Sequence, residues 1–122
     1  MFKVSNSPFY YVPIVAEIID EAGKLKKHMF DAKFRRLTHT EVEALMKRLP
    51  QEGDDEDTAA GRITDAELLA DVLIGWRGIQ TESGDEMPFN PENSEAVLDI
   101  YPVRPTLVRA FMASLQSARS KN

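Results

Sequence analysis

The stretch LLADVLIGWRGIQTESGDEMPFNPEN, residues 68–93, decides how this chain is read. It holds the only tryptophan. Leu68, Leu69, Val72, Leu73 and Trp76 fall on one side of a helix of 3.6-residue period. Just upstream, Thr64 and Glu67 have the spacing of a capping box, and Ile63 and Leu68 that of a hydrophobic staple. The expectation is a helix from Thr64 that ends at Gly75 and Gly78 with Trp76 in its last turn. Asn90 is a good N-cap and Pro91 suits a first helical position, so a new helix starts there. Between them, Trp76, Gly78, Phe89, Asn90 and Pro91 are expected to form a structural corner, with the two rings closing the loop onto the core. A partner-binding tryptophan is the competing reading, since Trp and Arg are enriched at interface hot spots.

Working outward, residues 10–36 read as a β-hairpin. Val12, Ile14, Ala16 and Ile18 share one face of the first strand, and Phe30, Ala32 and Phe34 one face of the second. Gly23 is the natural turn residue for positive φ. Pro13 lacks a ladder donor, which points to an edge strand or a bulge. Residues 38–50 read as a helix with Thr38 and Glu41 as its capping box and Val42, Leu45, Met46 and Leu49 as its apolar stripe. Residues 51–62 carry the run DDED and no apolar periodicity, and are expected to be a mobile acidic linker. Residues 63–119 form the helical part. Its last helix, from about Arg104 to Ala118, is expected to place Val103, Leu107, Ala110, Phe111, Ser114, Leu115 and Ala118 on one face. The fold class is α+β: one domain spanning residues 1–122, an N-terminal β-hairpin packed on a small bundle of about four α-helices.

Composition bounds the chemistry. The 122 residues make one domain with enough material for a core. There is no cysteine, which removes disulfides and thiolate chemistry. No apolar run approaches the roughly 20 residues of a membrane span. The start, MFKVSNSPFYY, lacks the pattern of a secretory signal. A cytoplasmic protein without a membrane partner is expected.

The net charge of -5 is unevenly spread. Residues 1–50 carry nine Lys/Arg against six Asp/Glu, residues 51–99 two against fourteen, and residues 100–122 four against none. The acidic middle disfavours nucleic acid, which needs a continuous basic surface. Segregated charge favours assembly with other proteins through steering.

Catalytic signals are absent from the pattern. His28 and His39 read as surface residues, and no H-E-x-x-H is present. DDED lacks calcium-loop spacing and reads as a solvated charge run. No serine sits in a nucleophile elbow, and the glycines make no phosphate loop. The expectation is a non-enzymatic protein with no cofactor and no metal. Phe2, Phe9, Tyr10 and Tyr11, with Met112 on what reads as an outer helix face, form a candidate partner-binding patch. The alternative is that they fold back on the hairpin.

The order of motifs resembles the small tail assembly chaperones of long-tailed bacteriophages and prophages. The most recognisable piece is Trp76, Gly78 and Ile79, then an acidic loop with Gly84, then Pro88, Phe89, Glu92 and Asn93. A second piece is Phe34–Leu37 with Glu41. The resemblance covers most of the chain outside residues 51–62. It implies a protein that binds the long, aggregation-prone tape measure protein in the host cytoplasm. Such a chaperone keeps its client soluble while tail tube protein, a possible second partner, polymerises around it. The family offers no catalytic residues to carry over. A structural tail component of terminator or connector type, or a small nucleic-acid-binding phage regulator, is the alternative.

Overall fold

The computed structural model describes residues 7–120, with side chains through Ser117. Phe2 therefore lies outside the described residues. The chain runs β1 (Phe9–Ile19), β2 (Leu25–Arg35), α1 (His39–Arg48), α2 (Glu56–Ala60), α3 (Asp65–Val72), β3 (Leu73–Arg77), α4 (Pro91–Leu98) and α5 (Val103–Ser120). The α+β expectation holds, with one strand more than foreseen: the sheet is antiparallel in the order β1-β2-β3.

The hairpin follows from its alternation. Ile14, Ala16, Ala32 and Phe34 are buried on the inner face. The Asp20 carboxylate accepts from the backbone N–H groups of Ala22 and Lys24, each at 2.9 Å, and closes the turn. Gly23 supplies its left-handed residue at φ 79°. Among the described residues β1 pairs only with β2, so Pro13 sits on an edge strand, where a missing donor is tolerated.

The helix expected to run as far as Trp76 stops at Val72, and the chain turns directly into β3. Phe34 pairs with Leu73 and Lys33 with Gly75, so Ile74 is the extra residue of a bulge. Ala32 then pairs with Trp76. The bulge places Leu73 and Trp76, three apart, on the same inner face. A bulged strand thus copies the i, i+3 spacing of a helix, which is the physical reason for the misreading.

Residues 51–62 also differ from expectation. They hold the short helix α2, capped by Asp55, whose side chain accepts from the Thr58 N–H at 2.7 Å. Arg62 ties the segment down through two bonds of 3.1 Å to Asp54 and one of 2.6 Å to the Lys47 carbonyl. The acidic run is therefore capping and ion-pairing chemistry.

The core lies between the inner sheet face and helices α3 and α5. Phe34 and Phe111 are fully buried and meet edge to face at 5.1 Å. Leu68, Leu69, Val72, Val103 and Leu107 complete the layer. Truncating either phenylalanine to alanine costs about 3–5 kcal/mol.

Candidate functional site

The two motifs carrying the family resemblance have structural work in this fold. Arg35 closes the end of β2 against two helices. One of its nitrogens donates to Glu41 at 2.8 Å and another to both Asp71 carboxylate oxygens, at 3.0 and 2.9 Å. Glu41 in turn accepts from the Thr38 N–H at 3.0 Å, completing the capping box of α1. That backbone bond, reinforced by Arg35, holds the Glu41 carboxyl below the usual glutamate range. The Arg35 guanidinium is shifted upward, first by its bond to Glu41 and then by the charge of Asp71.

The second motif is the corner. The Trp76 indole N–H donates to the Met87 carbonyl at 2.8 Å, and its ring meets Phe89 edge to face at 4.8 Å. Gly78 turns the chain at φ 90°, and a Cβ added there would lie 3.5 Å from the Phe30 Cα, in contact with the Phe30 backbone. Asn90 caps α4 by accepting from the Asn93 N–H at 2.8 Å, and Pro91 opens that helix. The Asn93 side chain donates back to the Pro88 carbonyl at 2.9 Å. The intervening loop folds on itself through Met87 N–H to Ile79 O and Thr81 N–H to Asp85 O, both at 2.7 Å. Trp76, Gly78, Phe89, Asn90 and Pro91 are thus brought together, around a strand end where a helix end was expected.

The candidate partner residues are brought together only in part: Phe9 and Tyr11 meet, and Met112 lies elsewhere. Phe9 and Tyr11 lie on the outer face of the sheet, edge to face at 5.8 Å. Each is capped by a cation, Lys33 over Phe9 at 4.1 Å and Arg77 over Tyr11 at 3.8 Å. Arg77 also donates to Asp31 at 2.9 Å. Met112, expected on an outer helix face, is half-buried against the core. Farther along the same sheet face, Val15, Ile19, Leu25 and Met29 are exposed.

A cleft of about 1230 Å³ lies between the outer edge of β1, helix α1 and the end of α5. Four consecutive residues, Tyr10–Pro13, line it, as an edge strand presents its backbone sideways. Val42 and Met46 of α1, with Leu37 just before it, form one wall and Leu115 the α5 wall. Tyr10 is fixed there by a 2.8 Å hydrogen bond between its hydroxyl and that of Ser114. Arg36, Glu43 and Lys47 provide its charged lining, with the polar His39 beside them.

Helix α1 is anchored lightly along its length. Leu45 is its one buried residue. Val42 and Met46, expected in the core stripe, are half-buried and face the cleft. Its two ends are held instead, by the Arg35–Glu41 pair at the start and by the Ile63 N–H to Arg48 carbonyl bond of 2.8 Å at the finish. Of the expected partner residues, Tyr10 and Tyr11 reach this cleft. Val12, Val42, Met46 and Leu115 went unnoticed as site residues, because apolar cleft walls and apolar core share one periodicity.

The described residues hold no group of three or more His, Asp or Glu placed to share a metal ion. No helix among them is long and apolar enough to cross a membrane. No family model, no curated protein and no solved structure matches the chain.

Proposed function

We propose that this protein is a non-enzymatic tail assembly chaperone of a bacteriophage or prophage. In this reading it binds the tape measure protein in the bacterial cytoplasm and keeps it soluble while the tail tube assembles. The family resemblance of the sequence motivates the reading, and the apolar cleft between β1, α1 and α5 is the observation that carries it. A holdase for a long helical client needs a groove for an amphipathic helix and an adaptable wall. Met46 is an unbranched, conformable side chain on such a wall. The client helix would lay its apolar stripe on Val12, Leu37, Val42, Met46 and Leu115, shielding that stripe from self-association. Tyr10 and Ser114 form the fixed floor at one end.

Co-expression with overlapping tape measure fragments, followed by size-exclusion chromatography, tests this. The expected result is that a fragment insoluble alone becomes soluble and co-elutes. Aggregation of every fragment beside the chaperone would overturn the proposal. Recovery of the protein in purified tails would favour a structural tail component instead.

A further inference from the structure

The charged lining of the cleft says more about its occupant, provided that the cleft receives a helix as proposed above. The chain is acidic overall, and three of its arginines are matched by carboxylates. Arg35 pairs with Glu41 and Asp71, Arg62 with Asp54, and Arg77 with Asp31. The two permanent cations of the cleft are not matched. Arg36 donates to the Ser7 carbonyl at 3.0 Å and lies over the Tyr10 ring at 5.2 Å, but forms no ion pair among the described residues. Lys47 forms none either, although it is exposed and lies in the same cleft. The single acid of the lining, Glu43, is engaged by His39 at 2.6 Å.

Arg36 and Lys47 flank the apolar pair Val42 and Met46, one before the start of α1 and the other at its last turn. We infer that the cleft selects amphipathic helices with acidic flanks, whose carboxylates meet Arg36 at one end and Lys47 at the other. α1 has ten residues, about 15 Å at 1.5 Å each. An occupant as long as α1 would span roughly three turns, with an acidic position near each end. The pairing orients the helix and rejects basic amphipathic helices, because specificity comes from the repelled competitor as much as from the accepted ligand.

Three synthetic helical peptides test this. They share one apolar stripe and carry Glu, Gln or Lys at both flanks; binding is read by fluorescence anisotropy at low and high salt. The Glu peptide is expected to bind about tenfold more tightly than the Lys peptide, since two exposed pairs are gained in one and two repulsions in the other. Salt should compress that ratio. Arg36→Gln combined with Lys47→Gln should bring the three affinities together. Lys47→Gln alone leaves the Arg36 contact with Tyr10 intact and should cut the ratio to about threefold. Equal affinity of all three peptides for the wild-type protein would overturn the acidic preference and leave the groove standing. If the Gln peptide fails to bind, and no flank restores binding, the helix-binding cleft itself is wrong and this inference falls with it.

Discussion

Replacing Trp76 separates a corner residue from a binding residue. The side chain is 8% exposed. A tryptophan buries roughly 150–250 Å² of surface, which at about 25 cal/mol/Å² sets an upper bound near 4–6 kcal/mol. Trp→Ala substitutions in cores cost about 3–5 kcal/mol. The Met87 carbonyl loses its donor but lies in a surface loop that water can reach, adding little. Trp76→Ala should therefore cost about 4 kcal/mol. Trp76→Phe keeps most of the ring contact with Phe89 and loses the 2.8 Å bond to Met87. Its cost should be about 1–2 kcal/mol, one hydrogen bond and a part of one ring. For a domain of this size that is a fall in Tm of roughly 4–8 °C. Urea unfolding followed by far-UV circular dichroism measures both variants on one scale. A Trp76→Ala protein within about 0.5 kcal/mol of wild type would refute the corner, most of all if it also lost a partner.

Three further expectations follow from the same geometry. Gly78→Ala, at φ 90° against Phe30, should cost about 1–2 kcal/mol by urea unfolding, and Gly84→Ala, at the same φ in open space, should cost less. Arg35→Ala removes the partner of Glu41 and Asp71; because the side chain is 31% exposed and water screens it, the loss should be about 1–2 kcal/mol, with a smaller loss in high salt. Acid should weaken the fold in a defined direction. The carboxyls of Glu41, Glu67, Asp54 and Asp55 are all held below their usual range, Asp54 first by Arg62 and the other three first by backbone N–H groups at caps. Groups with depressed folded-state values stabilise above the unfolded value, about 4, and lose that contribution as pH falls through the folded value. Urea midpoints measured from pH 6 downward should decline below about pH 4–5, and less steeply in Glu41→Gln; a flat profile would contradict the capping account.

What the sequence disclosed, and what it hid, divides along physical lines. Strand alternation in residues 12–18 and 30–34 is a period of two with few competitors, and both inner faces emerged as expected. The caps at Thr38, Thr64 and Asn90 are local devices, complete within four residues. β3 was hidden because the bulge at Ile74 turned a strand's period into a helix-like spacing. Only the long-range partner, β2, could have revealed it. Helix α2 was hidden by composition, since Asp55 and Arg62 act through specific pairs that an acidic run conceals. The cleft was hidden for a third reason. Val42 and Met46 have the spacing of core residues, and only the packing of α1 on Leu45 alone leaves them facing outward. Met112 shows the converse, an apparent outer position absorbed by the core.

The cleft is the centre of the functional account, so its occupancy is the decisive observation. A tape measure fragment that copurifies should be titrated into isotope-labelled protein and followed by amide chemical shifts. The account predicts shifts concentrated at Tyr10–Pro13, Leu37, Val42, Met46 and Leu115, and their loss in Met46→Asp with the fold intact. Shifts confined to the outer sheet face around Val15 and Met29, with the cleft silent, would contradict it.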